Sequence, residues 1–305
     1  MNEPPVSFAA LCPGALIGVI APAGPAQPQS LAAVPALYKS HGHRVRIFPG
    51  CAQNIGYLAG DDNVRLADIH AALADDEVAA LHCLRGGYGA MRLLDRIDTA
   101  LLRAHPKLLI GYSDITALHA LWALNGLPTL HAPMPASDLV KPGREADAQD
   151  LFTLLQGGLR AGTVLAPTLL PEPRLCVPGK ARGRLIGGNL SLVAALLGTP
   201  FAWQAEGAVL FLEDVSEDLY RVDRLLTQLR LAGVLGAVAG FVLGSFTEAQ
   251  PPDALLREFL LPLGKPVLGG WPCGHGTPNL PLPLGVRVDL DAQAGTLTLL
   301  EDFLR

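Results

Sequence analysis

Short apolar segments alternate with helix-forming segments through the first half of the chain, and this alternation limits the possible folds more than any other feature. The apolar segments span residues 16–20, 44–48, 78–84 and 108–110, and the helical ones span residues 30–40 and 61–73. This β-α-β order predicts an α/β fold, with a Rossmann-like parallel sheet covered by helices. Because such sheets bind ligands where their strands end, we expect the functional residues at the carboxyl ends of strands.

The second half of the chain begins with a change in character. Residues 158–182 are rich in glycine and proline and show little periodicity. We therefore place a linker there, between an N-terminal domain of residues 1–157 and a smaller C-terminal α/β domain of residues 183–305.

The composition excludes several classes of protein. Half of the 305 residues are hydrophobic and 17% are charged, so the chain can bury a large core. The net charge is −5 and no run of lysine or arginine stands out, which argues against a nucleic-acid partner. The longest apolar stretches, such as residues 231–246, are interrupted by glycine and do not suit a membrane span.

The cysteines and the N-terminal segment bear on the location of the protein. The cysteine count of five is odd and no pair has Cys-x-x-Cys spacing, so we expect neither a disulfide framework nor a zinc cluster. Free thiols favour a reducing cytoplasm. Residues 4–38 carry no charge, but Glu3 precedes them and prolines interrupt them, so we interpret this segment as mature protein. We predict a cytoplasmic protein that uses no metal and no cofactor.

The segment Gly-Tyr-Ser-Asp at residues 111–114 is the most informative one for function. An apolar strand ends at Gly111 and a helix is predicted to begin after Asp114, which places Ser113 on a strand-to-helix corner. A serine on such a corner is exposed, and the next backbone N–H groups point at whatever it attacks. Ser113 could also be a simple helix cap.

Two later segments could activate this serine. Glu213 ends an apolar strand and could orient a histidine, although the neighbouring Asp214 competes for that role. His275 lies between two glycines, which expose its ring, and it is the best candidate for the base. His131 ends a strand close to the serine and is the serious rival. A serine, an acid and a base in this order suggest a hydrolase with its active site between two domains.

A glycine-rich loop, Arg-Gly-Gly-Tyr-Gly at residues 85–89, follows another strand. Glycine lets backbone N–H groups approach a ligand closely, so we expect Gly86 and Gly87 on one side of an oxyanion hole and the N–H of Asp114 on the other. Arg85 opens this loop at the end of the strand. A tight turn and a surface arginine are the alternative interpretations.

A set of short segments, spread in order over almost the whole chain, carries a family resemblance. The segments are residues 17–22 (IGVIAP), 57–60 (YLAG), 83–89 (CLRGGYG), 110–116 (IGYSDIT), 187–190 (GGNL), 212–214 (LED), 274–276 (GHG) and 282–285 (LPLG). In this combination they resemble the LD-carboxypeptidase family, which includes the muramoyl-tetrapeptide carboxypeptidases and the microcin C immunity peptidases. Each segment alone is weak evidence, but the ordered set is specific.

The resemblance implies a serine peptidase with the triad Ser113, Glu213 and His275. The implied reaction removes the terminal D-alanine from a small muropeptide, a peptidoglycan tetrapeptide, during cytoplasmic wall recycling, and a homodimer is expected. Arg85 and Asn189, which lie in matching segments, are expected to bind the substrate. A carboxypeptidase must bind a terminal carboxylate, and Arg85 is the candidate for that contact. Two other functions stay open: a serine peptidase that cleaves aminoacyl-nucleotide conjugates, and a non-catalytic protein that binds a ligand in the same cleft.

Overall fold

The computed structural model describes residues 6–167 and 175–305. Its strands, in chain order, are β1 (Leu16–Ile20), β2 (Arg44–Ile47), β3 (Val78–Cys83), β4 (Leu108–Gly111), β5 (Thr129–His131), β6 (Val164–Leu165), β7 (Cys176–Val177), β8 (Lys180–Asn189), β9 (Val209–Val215), β10 (Gly240–Thr247), β11 (Val267–Leu268), β12 (Leu282–Leu284), β13 (Arg287–Asp291) and β14 (Thr296–Leu299). Its helices are α1 (Pro28–Ser40), α2 (Asp62–Ala74), α3 (Thr99–Ala104), α4 (Thr116–Leu124), α5 (Glu145–Gly157), α6 (Leu190–Ala195), α7 (Leu219–Leu231), α8 (Val234–Ala237) and α9 (Asp253–Leu260). Short 3₁₀ or π-helical turns span Pro49–Ala52, Ala90–Leu93, Ser113–Ile115, Pro135–Leu139 and Leu261–Leu263. Within the described ranges, no helix combines the length and the apolar character that a membrane crossing requires.

The first sheet has the strand order β12-β5-β4-β3-β1-β2. Strands β1 to β5 pair in parallel, whereas β12 runs antiparallel to β5. Strands β1 and β4 are buried along their whole length, which explains why they read as continuous apolar runs in the sequence. The predicted parallel sheet is confirmed, and its order reverses between β1 and β3, where sheets of this kind bind ligands.

The second sheet has the order β6-β14-β13-β8-β9-β10-β11-β7. Its central strands β8 to β11 are parallel and its flanking strands are antiparallel. The predicted linker, residues 158–182, contributes β6, β7 and the start of β8 to this sheet, while its residues 168–174 lie outside the described part. Two-residue strands are too short to show periodicity, so the sequence could not reveal them. The proposed domain boundaries stay a prediction.

Buried hydrophobic side chains join the two sheets. One cluster contains Ile110 and Leu130 from the first sheet together with Phe211 and Val242 from the second, all fully buried. A second cluster packs α2 and α4 on the first sheet, and a third packs α7 and α9 on the second. Because interiors are close-packed, the shared cluster holds the ends of β4 and β9 in a fixed relation, which matters for the site described next.

Candidate active site

Ser113 lies on the corner between β4 and α4, as the sequence predicts. Its φ of 64° is in the left-handed region, which costs an L-residue roughly 1–2 kcal/mol. A Cβ on Gly86 would lie 2.8 Å from the Cβ of Ser113, so a side chain there would push the loop after β3 away from the serine. A strained serine facing a glycine loop is typical of a nucleophile corner.

His275 brings the predicted nucleophile and the predicted acid together. Its Nε2 lies 3.1 Å from Ser113 Oγ, and its Nδ1 lies 2.7 Å from Glu213 Oε2. Glu213 is fully buried near the end of β9, whereas 16% of the His275 side chain is exposed. With Nδ1–H donating to the carboxylate, Nε2 is free to accept the serine proton. This arrangement can activate a hydroxyl for attack on a carbonyl carbon.

The backbone around Gly274 fixes the position of the histidine. Gly274 has a φ of 115°, and a Cβ there would lie 2.6 Å from Glu213 Oε2. Its N–H donates to Asn279 Oδ1 at 2.9 Å, and the N–H of Asn279 donates to Asp147 Oδ1 at 3.1 Å. The glycine before His275 is therefore required sterically, and the loop is anchored beside the acid.

The acid and the base change each other's pKa. Burial alone would raise the pKa of Glu213, but the charge of His275 and the nearby His131 lower it below its ordinary value. Burial alone would lower the pKa of His275, but the charge and hydrogen bond of Glu213 raise it above its ordinary value. A more basic imidazole takes the serine proton more readily, although it is protonated over a wider range of pH.

Asp214, the alternative acid, faces away from His275. It follows Glu213 on β9, and successive side chains of a strand point to opposite faces. Its carboxylate accepts hydrogen bonds from Asn189 Nδ2 at 2.7 Å and from the Ser191 hydroxyl at 2.8 Å. These contacts give Asp214 a role in holding the start of α6.

Asn189 is the predicted site residue that the structure does not bring to the cavity. Its Oδ1 accepts the N–H of Leu192 at 3.3 Å, which makes it the N-cap of α6, and its Nδ2 donates to Asp214. Both ends of the amide are therefore occupied, and 4% of the residue is exposed. The geometry gives Asn189 a structural role in place of the predicted substrate contact.

His131, the alternative base, lies behind the acid. Its ring is fully buried, with Nε2 3.9 Å from Glu213 Oε1 and Nδ1 3.2 Å from Cys273 Sγ. The hydrogen-bond partner of Ser113 Oγ is His275. The geometry therefore favours His275 over His131 as the base.

The loop after β3 packs against the first residues that follow the corner. Asp114 Oδ2 accepts the N–H of Ala90 at 2.8 Å, and burial raises the pKa of Asp114 to about 6. A Cβ on Gly86 would lie 3.4 Å from the Asp114 nitrogen, so these backbones are in contact. Gly86 and the Asp114 nitrogen thus lie beside Ser113, and Gly87 lines the same cavity. Their role as an oxyanion hole stays a prediction.

A cavity of about 500 Å³ opens at Ser113 and His275, and three cationic side chains line it. Arg144 is paired, because its Nε lies 2.6 Å from Asp147 Oδ2. Arg85 Nη1 donates to a backbone carbonyl at 2.9 Å, and within the described ranges neither Arg85 nor Lys141 forms an ion pair. Both cations are therefore available to an anionic group of a ligand.

Two family descriptions match the sequence. The LD-carboxypeptidase N-terminal domain matches residues 17–132, and the LD-carboxypeptidase C-terminal domain matches residues 182–290. The chain belongs to the LD-carboxypeptidase family. Membership makes it a peptidase of the hydrolase class, and the resemblance on which the sequence analysis relied is confirmed.

Relatives of this LD-carboxypeptidase family member match over nearly their whole length. The probable murein peptide carboxypeptidase of Bacillus subtilis is 37% identical over 303 residues, covering 95% of this chain and 93% of the relative. The crystal structure of muramoyltetrapeptide carboxypeptidase from Oxalobacter formigenes has a TM-score of 0.83 at 30% identity, covering 95% of this chain and 100% of that one. The structure of MccF in complex with glutamyl sulfamoyl guanosine has a TM-score of 0.88 at 25% identity, covering 99% and 100%.

Arg65 is a residue of the site region that the sequence analysis missed. It is 1% exposed on α2, and its Nη1 donates to the carbonyls of Pro22 at 2.5 Å and Gly89 at 2.9 Å. It therefore connects the loops that follow β1 and β3, at the carboxyl ends of these strands. Its helical spacing from Ile69 and Ala72, three to four residues per turn, is the signal that could have placed it on the buried face.

Tyr112 is a second contact that the sequence left without a role. Its ring centroid lies 4.8 Å from that of His275, and its hydroxyl donates to Asp138 Oδ1 at 2.9 Å. Asp138 also accepts the N–H of Met134 at 2.8 Å. The tyrosine thus forms a fixed wall beside the imidazole of the base.

Proposed function

We propose that the protein is a serine-type LD-carboxypeptidase that removes the C-terminal D-alanine from peptidoglycan tetrapeptides in cytoplasmic cell-wall recycling. The observation that carries the proposal is the hydrogen-bonded chain from Ser113 through His275 to Glu213, with distances of 3.1 and 2.7 Å. It lies on the wall of a cavity that is also lined by Arg85 and Lys141, which form no ion pair with the described residues. The names of the Bacillus subtilis and Oxalobacter formigenes relatives point to the same substrate class. We also propose that the protein acts as a homodimer, and this part of the proposal rests on the family resemblance alone.

The proposed mechanism has two acyl-transfer steps. Ser113 Oγ attacks the carbonyl carbon that precedes D-alanine, while His275 Nε2 takes the hydroxyl proton. The N–H groups of Gly86, Gly87 and Asp114 stabilise the resulting oxyanion. His275 then donates its proton to the leaving amine, and D-alanine departs. Water, deprotonated by His275, hydrolyses the acyl-enzyme in the second step and restores the serine.

Release of one residue from the carboxyl end also requires recognition of a free carboxylate. A cation that is not already neutralised by a protein carboxylate is the group best suited to this. Arg85 adjoins Gly86 and lies on the same cavity wall as Ser113, and its Nε is buried without a partner in the described part of the chain. We assign the terminal carboxylate to Arg85, with Lys141 as the alternative.

A second candidate function is cleavage of aminoacyl-nucleotide conjugates. The observation that favours it is the TM-score of 0.88, over 99% of this chain, to MccF in complex with glutamyl sulfamoyl guanosine. The same catalytic chain would serve both reactions, since each is an acyl transfer to water. What differs is the leaving group, so the products decide between them.

Incubation with a muramyl-tetrapeptide should release D-alanine and leave a tripeptide. The matched control is the same peptide with a C-terminal amide, which we expect to be cleaved at least tenfold more slowly, since a charge-assisted hydrogen bond is lost. Mass spectrometry of both reactions over time is the measurement. Equal cleavage of acid and amide would argue against a carboxypeptidase and favour the conjugate-cleaving function. Labelling by a serine-directed fluorophosphonate would exclude a purely binding role.

Arg85→Ala should lower kcat/KM for the tetrapeptide by roughly ten- to a hundredfold, mainly through KM, because the substrate carboxylate loses its partner. The variant should also lose the discrimination between acid and amide. Lys141→Ala is the matched control, since it removes another unpaired cation from the same cavity. If discrimination survives in Arg85→Ala and disappears in Lys141→Ala, the carboxylate belongs to Lys141.

A further inference from the structure

A second imidazole lies behind the acid of the proposed triad. His131 ends β5, which pairs with β4, and its ring packs edge-on against Phe211 with centroids 5.1 Å apart. Its Nε2 lies 3.9 Å from Glu213 Oε1, the carboxylate oxygen that does not face His275. Glu213 is thus enclosed between two histidines, one on each oxygen.

The two facing atoms have no other partner. In the part of the chain that the structure describes, Glu213 Oε1 and His131 Nε2 are both buried without a hydrogen bond. An ionised oxygen that is buried in this way is costly unless a donor serves it. The distance of 3.9 Å exceeds a hydrogen bond, but catalytic hydrogen bonds are often long in a ligand-free enzyme and shorten when substrate binds.

The other side of the imidazole determines which nitrogen carries the proton. His131 Nδ1 lies 3.2 Å from Cys273 Sγ. Burial, aided by the charge of Glu213, raises the pKa of the Cys273 thiol well above its ordinary value, so the sulfur keeps its proton. The S–H therefore donates to Nδ1, and the ring proton resides on Nε2, directed at Glu213 Oε1.

Among the residues that the structure describes, the other groups near His131 do not compete for this proton. His119, with its ring centroid 6.2 Å away, has its pKa lowered to about 3 by burial and is neutral, and its Nε2 donates to the Gly111 carbonyl at 2.9 Å. Tyr112 contacts the ring with centroids 5.5 Å apart, but its hydroxyl is bonded to Asp138. The polar groups that face the ring nitrogens of His131 are thus Cys273 and Glu213.

We infer that His131 is a positioning residue that holds the Glu213 carboxylate from behind, and that Cys273 holds His131 in the tautomer this requires. Its Nε2–H fixes one carboxylate oxygen, so the other stays directed at His275 Nδ1 when the base takes up a proton. The inference rests on the proposed roles of Ser113, His275 and Glu213, but it does not depend on the identity of the substrate.

The test uses two pairs of variants. In His131→Gln the side-chain amide nitrogen reaches the position of Nε2, whereas in His131→Asn it reaches only the position of Nδ1. In Cys273→Ser a hydroxyl still donates to Nδ1, whereas Cys273→Ala removes the donor. The two Cys273 variants have nearly equal bulk, so a packing role would affect both alike. Glutamine exceeds asparagine by one methylene, so a difference confined to the His131 pair would indicate packing and would overturn the inference.

The readout is the rate at which a fluorophosphonate labels Ser113, which requires the triad but no peptide. His131→Asn should slow labelling roughly ten- to a hundredfold, since a donor to a charged group is lost, while His131→Gln should stay within about threefold of the wild type. Cys273→Ala should likewise be labelled more slowly than Cys273→Ser, because it lacks the donor to His131 Nδ1. Thermal unfolding of all four variants controls for folding, and the cysteine pair provides the test if His131→Asn does not fold.

Equal labelling rates within both pairs, whether fast or slow, would overturn the inference. The proposed carboxypeptidase function is tested separately. If the wild type is labelled at Ser113 but does not shorten the tetrapeptide, the substrate assignment fails while the labelling comparison still decides the role of His131. If the wild type is not labelled at all, the catalytic assignment and this inference fail together.

Discussion

Ser113→Ala is expected to abolish turnover of the tetrapeptide, with a loss in kcat on the order of a million-fold, as for other serine nucleophiles. The substitution removes both the proton that His275 accepts and the oxygen that forms the acyl-enzyme. Without them the acyl-enzyme cannot form. The side chain is half-buried and its hydrogen bond is to His275, so the fold should persist. The measurement is kcat under saturating tetrapeptide, together with the thermal midpoint of unfolding.

Ser216→Ala is the matched control for this substitution. Ser216 is also a serine with a positive φ, 58°, and it lines the same cavity, but its hydroxyl donates to Glu248 at 2.9 Å. The same change at the same kind of backbone should leave kcat within about threefold, since the Ser216 hydroxyl bonds to Glu248 and not to a member of the proposed triad. A Ser113→Ala enzyme that keeps a tenth of wild-type activity would exclude Ser113 as the nucleophile.

Strands such as β1 and β4 of the first sheet were predictable because they are buried on both faces. A strand such as β1 is then apolar at every position, and the loop that follows it is marked by proline or glycine. Three strands at or near the edges of the sheets were not predictable. Strands β6 and β7 are two residues long, and β12 joins the first sheet from the far end of the chain, so only long-range pairing defines them.

Some residues of the candidate site could likewise be predicted from local sequence, and others depend on long-range packing. Ser113 and His275 could be proposed from local sequence, because a strand-to-helix corner and a glycine-flanked loop are local features. The choice between Glu213 and Asp214 could not, because it depends on which face of β9 meets His275. The sequence ranked His131 as a rival base, whereas the structure places its ring beside Glu213. That distance depends on how β5 of the first sheet packs against β9 of the second, which local sequence does not show.

Glu213→Gln is the substitution with the second-largest expected effect, a loss in kcat of roughly ten-thousand-fold, as for the equivalent change in other triads. The amide can donate to Nδ1 of His275, which would leave the ring proton on Nε2 and the base unable to accept from Ser113. The neutral side chain also no longer stabilises the imidazolium that forms during attack. The measurement is the pH dependence of kcat and of kcat/KM.

The sign of the pH effect follows from the pKa of the base. His275 accepts a proton only when neutral, so kcat/KM must rise with pH through its pKa. In the wild type, Glu213 holds that pKa above the ordinary 6.5, and the midpoint of the acid limb should lie above this value. In Glu213→Gln the burial remains while the charge is gone, so the midpoint of the residual activity should fall below it.

Asp214→Asn is the matched control for Glu213→Gln. It tests whether the effect comes from losing any negative charge near the site or from losing the carboxylate that is bonded to the imidazole. It makes the same carboxylate-to-amide change one residue along β9, where the side chain bonds to Asn189 and Ser191. Because those contacts are weakened, we expect the variant to be less stable to unfolding. We also expect a smaller shift in the midpoint of the acid limb and a kcat far above that of Glu213→Gln. If Asp214→Asn caused the larger fall in kcat, the acid of the triad would have to be reassigned to Asp214. Loss of a carboxylate that only supports α6 should slow the chemical step less than loss of the carboxylate that is bonded to the base.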